Sequence, residues 1–155
     1  MLFRSSEFSN PRKAGIIAVD LNEGDFLVGA AITDGQHDVM LFSDAGKAVR
    51  FDENDVRPMG RTARGVRGMN LGDGHRVIAM LVAPAEAAEG TEAAVVDANG
   101  NPIPSSVLTA TENGYGKRTP IVEYTRHGRG TKGMIAIQTS ERNGKVVAAA
   151  LVSPE

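Results

Sequence analysis

Three glycines, Gly15, Gly68 and Gly133, each open the same pattern of residues, and that pattern limits how the chain can fold. Each follows a cation by one or two residues, in RKAG, GVRG and GTKG. An apolar run comes next (IIAVDL, MNL or MIAIQT), then a polar turn (NEGD, GDGH or SERNGK), then a second apolar run (FLVGAAI, VIAMLV or VVAAALV). Short apolar runs split by Gly, Asp and Asn turns are hairpin signals and are too brief for helices. A second hairpin repeats as well. VMLFSDAGKAVRF, Val39 to Phe51, aligns with VLTATENGYGKRT, Val107 to Thr119, placing Asp44-Ala45-Gly46 on Glu112-Asn113-Gly114.

The anchors lie 53 and 65 residues apart, and the longer interval holds an extra acidic stretch at about 84–105. Removing about a dozen inserted residues restores a period near fifty, and four strands in such a period make a propeller blade, each blade leaning on the next. The expectation is an all-β, propeller-like repeat of four-stranded blades, about three in 155 residues, with the insertion as a surface loop. Eighteen glycines and no tryptophan agree with short strands and tight turns.

The formal charge of −2 hides a segregated pattern. Ala83 to Ser106 carries Glu86, Glu89, Glu92 and Asp97 with no cation, so the remaining chain is net +2. Five arginines stand between Arg57 and Arg76 against Asp73 alone, and five cations between Lys117 and Lys132 against Glu123 alone. Such segregation builds a positive surface on a protein of ordinary pI. In RTARGVRGMNLG, Arg61, Arg64 and Arg67 have helical spacing, but Gly65 and Gly68 each disfavour a helix by about 1 kcal/mol. A loop aiming cations outward is the better reading. In successive units the same connection carries Arg12 and Lys13, then Arg57, Arg61, Arg64 and Arg67, then Arg126, Arg129 and Lys132. Cations recurring at equivalent positions of a disc fall along one rim, where they can follow a phosphate backbone, while the glycines let the main chain approach.

Other chemistries find little support. GYGKRT lacks the earlier glycine of a phosphate loop and has Arg118 where Ser or Thr must bind magnesium, so a type I′ turn at Asn113-Gly114 explains it better. His37, His75 and His127 form no pair at metal-ligand spacing, and Asp34, His37 and Asp38 read as an exposed turn, so no metal site is assigned. No serine sits in a nucleophile elbow. Phe3, Phe8, Phe26, Phe42 and Phe51 are expected mostly in the core, and so few aromatics argue against recognition by base stacking. The absence of cysteine fits a reducing cytoplasm, and neither a spanning segment nor a signal-peptide core is evident, so no membrane partner is expected.

VMLFSDAGKAVRFDENDVRPMGRTARGVRGMNL and VLTATENGYGKRTPIVEYTRHGRGTKGMIAIQTSERNGKVVAAALV closely resemble the C-terminal domain of gyrase A, the DNA-cleaving chain of DNA gyrase, over about Glu7 to Val152. The resemblance implies a β-pinwheel of about six blades that exchange strands, with duplex DNA wrapped on a basic rim; this chain corresponds to half a disc. The family's Gln-Arg-Arg-Gly-Gly-Lys-Gly box is absent, and His127 to Gly133 matches it at four of seven positions. The family's cleaving tyrosine belongs to another domain, so neither Tyr115 nor Tyr124 inherits that role. Residues 1–6 do not resemble the family's sequence and are expected to be an N-terminal tail or scar.

The implied function is a non-catalytic, duplex-wrapping module of a bacterial type IIA topoisomerase, cytoplasmic and nucleoid-associated. Its implied partners are gyrase B and the rest of gyrase A, and ATP and magnesium are used elsewhere in the holoenzyme, with no cofactor here. Lys47, Arg50, Lys117 and Arg118 follow the hairpin turns; the resemblance places such cations near the DNA path, and cross-strand pairing with Asp52, Asp44 or Glu123 is the competing reading. Two other functions fit the sequence less well, a topoisomerase IV C-terminal domain and a β-repeat scaffold binding an acidic protein.

Overall fold

The computed structural model describes residues 1–85, 98–99, 103 and 105–153. The four acids of the insertion, Glu86, Glu89, Glu92 and Asp97, lie outside them.

Strands β1 (His37–Ser43) and β2 (Lys47–Asp52) form the first predicted hairpin, with Val39 opposite Phe51 and Met40 opposite Arg50. Strand β3 (Val77–Pro84) is antiparallel to β1. Strands β4 (Ser106–Thr111) and β5 (Gly116–Pro120) form the second hairpin, with Val107 opposite Thr119. Strand β6 (Met134–Ile135) crosses back to the edge of β2, and β7 (Val146–Val152) pairs with β4. The result is a four-stranded sheet, β3-β1-β2-β6, and a three-stranded sheet, β5-β4-β7. The first sheet takes β6 from the third unit, so strand exchange is observed directly.

Both hairpins turn the same way. Gly46 N–H donates to Ser43 O and Gly114 N–H to Thr111 O, so the glycine follows the turn, at φ +80° and +83°. That is a three-residue loop closed by a left-handed glycine, and it replaces the type I′ turn expected at Asn113-Gly114.

The alternation of each strand sets the packing. Asp38, Met40 and Phe42 of β1 face the second sheet, where Met40 and Phe42 join Val107, Ile121 and Tyr124 in one buried cluster. Phe42 meets the Tyr124 ring edge-on at 6.0 Å, and burial pushes the Tyr124 phenol above its usual range, with the Thr119 hydroxyl opposing. Val39 and Leu41 point the other way, onto Val49, Phe51 and Met69. The first sheet is thus covered on both faces.

Unit one departs from expectation. Its runs IIAVDL and FLVGAAI form no strand, and Phe26 is 85% and Ile32 99% exposed. Strand conformation needs a ladder partner. The second runs of units two and three, and the first run of unit three, have one in a preceding hairpin, and no described segment offers one to residues 16–32. Phe26 is accordingly outside the core, as is the exposed Phe8, while Phe42 and Phe51 are within it as expected. Residues 1–6 are also tied down, by a Leu2–Pro58 bridge and a Met59 N–H bond to Leu2 O.

Candidate nucleic-acid interface

Backbone hydrogen bonds lay the three glycine-anchored connections side by side. The first meets the second where Arg61 Nη1 donates to Ile17 O at 3.0 Å and Asp20 N–H donates to Ala63 O. The second meets the third where Gly130 N–H donates to Gly68 O at 2.6 Å and Asn70 N–H to Thr131 O, with Met69 bridged to Thr131. Arg129 joins this seam, donating from Nε to Asp55 O and from Nη1 to Arg67 O. Arg12 and Arg61 line one shallow groove beside Gly15. The segments that carry Arg12 and Lys13, then Arg61, Arg64 and Arg67, then Arg129 and Lys132 therefore lie next to one another as one basic ribbon.

Most of this ribbon faces solvent. Arg12, Lys13, Arg64, Arg67, Arg129 and Lys132 are exposed, as is Arg57 on the connection just before Arg61, and Arg61 is half-buried. Arg64 pairs with Asp20 at 2.9 Å, but the two side chains are 69% and 48% exposed. An exposed pair of this kind is worth at most about 1 kcal/mol, so Arg64 can exchange Asp20 for a phosphate at little cost.

Arg50 is a correction. Expected as a surface cation near the hairpin turn, it is buried, with its side chain 1% exposed. Its Nε donates to Asp38 at 2.7 Å, and its Nη1 donates to Ile121 O and Tyr124 O of the next unit. Arg126, with its side chain 42% exposed, also holds Asp38, through Nε and Nη2, and lies 3.6 Å from Asp52. Asp38 is thus the buried hub of two arginines and locks the first sheet to the second. Asn54, through its backbone and side-chain N–H groups, holds the Asp52 carboxyl below the usual range, with slight burial opposing and Arg126 reinforcing. Lys117 and Arg118 stand exposed on β5, the edge strand of the second sheet, and Lys47 is half-buried where β2 receives β6.

The acidic turn is also rearranged. With Asp38 buried, it is Asp34, His37 and Glu53 whose ligand atoms converge, all within 4.8 Å. Thr33 and the His37 N–H donate to the Glu53 carboxylate, and Gln36 N–H donates to Asp34. Sequence reasoning does not find the hub Asp38–Arg50–Arg126, although the alternation that sets Arg50 opposite Met40 is the signal that places it on the core face.

A profile of the family described as DNA gyrase C-terminal domain, beta-propeller, matches residues 2–34, 37–84 and 105–153. The match takes in residues 2–6, which the repeat pattern leaves out. The chain is 51% identical over 148 residues to the gyrase A protein of Klebsiella oxytoca, covering 96% of this chain and 15% of that protein. It is 51% identical over 146 residues to the gyrase A protein of Pseudomonas aeruginosa, covering 94% of this chain and 14% of that one. It therefore spans about a seventh of these relatives. Among solved structures, a DNA gyrase A C-terminal domain superposes with a TM-score of 0.73 at 31% identity, covering 97% of this chain and 44% of that one. A topoisomerase IV C-terminal domain superposes with a TM-score of 0.78 at 21% identity, over 95% of this chain and 41% of that one, a likeness of fold alone.

Proposed function

The chain belongs to the DNA gyrase C-terminal domain family, and from that premise we propose that it binds duplex DNA and bends it around the basic ribbon as part of a type IIA topoisomerase. The observation that supports this reading is the seam itself, where three cation-bearing segments that are distant in sequence lie against one another. Bending 20 to 30 base pairs costs on the order of 1 to 6 kcal/mol, and only many simultaneous phosphate contacts offset it. A row supplies such contacts with no base readout, so sequence preference is weak.

In this reading the chain carries no catalytic step. Strand cleavage, ATP and magnesium belong to the rest of gyrase A and to gyrase B, in a bacterial cytoplasm. Wrapping with a fixed hand presents a nearby segment of the same DNA for passage and biases the holoenzyme toward negative supercoils. The identity to gyrase A proteins favours gyrase over topoisomerase IV.

Relaxed closed circular DNA, incubated with the chain, relaxed again by a nicking-closing enzyme and then stripped of protein, tests wrapping. The linking number is expected to shift in one direction in proportion to bound protein. An unchanged topoisomer distribution at saturating protein would mean binding without wrapping.

A further inference from the structure

We propose that Asp34, His37 and Glu53 bind one divalent transition-metal ion of the zinc class, which ties the connection leaving unit one to the β1–β2 hairpin. Asp34 stands in the turn before β1, His37 opens β1, and Glu53 follows β2. His37 Nδ1 is the centre of the group, 2.9 Å from Asp34 Oδ1 and 3.6 Å from Glu53 Oε1. It is closed off from solvent and makes no hydrogen bond, so a buried ring nitrogen faces two carboxylates with its bonding capacity unused. Ligands about 2.0 to 2.2 Å from one octahedral or tetrahedral ion stand about 2.9 to 3.6 Å from each other, which is the spacing of both pairs. The third pair lies within 4.8 Å, and Asp34, 67% exposed on its turn, has room to close it.

Charge balance points to a cation. The Glu53 side chain is 4% exposed, and no lysine or arginine among the described residues lies within ion-pair distance of it or of Asp34. Thr33 and the His37 N–H donate to the Glu53 carboxylate, which satisfies its oxygens and leaves its charge unbalanced. A buried carboxylate without a countercharge is costly. The repeat shows that the fold does not ask for one. In the alignment of Val39 with Val107, Glu53 corresponds to Ile121, buried in the apolar cluster, and His37 to Ser105. Unit two thus keeps an acid and an imidazole where unit three has a hydrocarbon side chain and a hydroxyl. Two carboxylates with a neutral imidazole carry two negative charges, which a divalent ion cancels. The ring nitrogen favours zinc and its neighbours over magnesium and calcium, which take oxygen ligands. Outer contacts already hold the turn, because Gln36 N–H donates to Asp34 Oδ1 and Asn54 Nδ2 donates to Gly35 O.

Isothermal titration of zinc into the tag-free chain, first stripped of metal by a chelator, tests the proposal. One ion per chain is expected to bind at micromolar concentration or below. His37→Gln and Asp34→Asn should each weaken zinc binding by at least about tenfold. Asp34 is exposed, so its variant keeps the fold, which a melt without metal confirms. Zinc should also raise the melting temperature of the parent chain, since an ion held only by the folded state stabilises it, and should do so much less in either variant. His75→Gln and His127→Gln are the controls, because His75 pairs with Asp44 and His127 stands in the third connection, and both should bind zinc as the parent does. A parent chain that takes up no zinc at millimolar concentration overturns the proposal. So does binding that is unchanged in both His37→Gln and Asp34→Asn, or that is lost in a control variant instead.

Discussion

A variant with Arg12, Lys13, Arg64, Arg67 and Lys132 all replaced by alanine is expected to bind duplex DNA at least about a hundredfold more weakly than the parent chain at moderate salt, with each single replacement costing only a few-fold. The residues come from all three units, and the seam makes them one surface. Each neutralised phosphate releases a counterion, so the contributions accumulate and no one of them dominates. All five are exposed, and surface replacements of this kind change stability by no more than about 0.5 kcal/mol each. Fluorescence anisotropy with a duplex, alongside a thermal melt to confirm the fold, reads both quantities. A Lys117→Ala, Arg118→Ala double variant is the comparison, since these cations lie on β5 and make none of the seam's hydrogen bonds. Equal losses from the two variants would dissolve the ribbon into a general charge effect.

Asp38→Ala should destabilise the protein by about 3 to 5 kcal/mol, since removing one partner of a buried ion pair strands the other. Asp38 is fully buried, Arg50 nearly so, and both arginines lean on the same carboxylate. Loss of the hub takes the neutralising charge from a buried guanidinium, and the carbonyls of Ile121 and Tyr124 across the unit boundary accept its protons without balancing that charge. Against a typical domain stability of about 5 to 15 kcal/mol this is a large fraction. The urea midpoint reports it. The double variant Asp38→Leu, Arg50→Met should recover much of the loss, because exchanging a buried pair for apolar residues is often neutral. Asp52→Asn, at a half-buried carboxylate whose ion pair with Arg126 is long, should stay within about 1 kcal/mol of the parent. An Asp38→Ala chain as stable as the parent would remove the hub as the lock between units.

Local pattern is readable in the sequence and long-range partnership is not. The hairpins Val39–Phe51 and Val107–Thr119 can be read because turn glycine and strand alternation sit within a dozen residues of each other. The glycine anchors and their cations are equally visible, and the seam brings them together. What the residues 16–32 lack is a partner, and no periodicity of their own reveals that. The pairing of β1 with β3 and of β2 with β6 joins segments roughly forty to ninety positions apart, a separation that local propensity does not address. Arg50 misleads for a different reason. Its charge and nearness to a turn suggest the surface, whereas strand alternation, with Met40 opposite Arg50, puts that guanidinium on the face that carries Phe42. Arg126 stands in a basic stretch, and nothing local marks Asp38, 88 positions away, as its acceptor.

The central claim is that the ribbon meets DNA through its phosphates, and the salt dependence of duplex affinity tests it most directly. Plotted as log K against log salt, the parent chain should fall with a slope near −0.9 for each phosphate engaged, about −4 to −6 for the seven ribbon cations acting mostly together, and the five-alanine variant, which keeps Arg61 and Arg129, should fall with a slope no steeper than about −2. A shallow slope for the parent chain, or the same slope in both proteins, would contradict it.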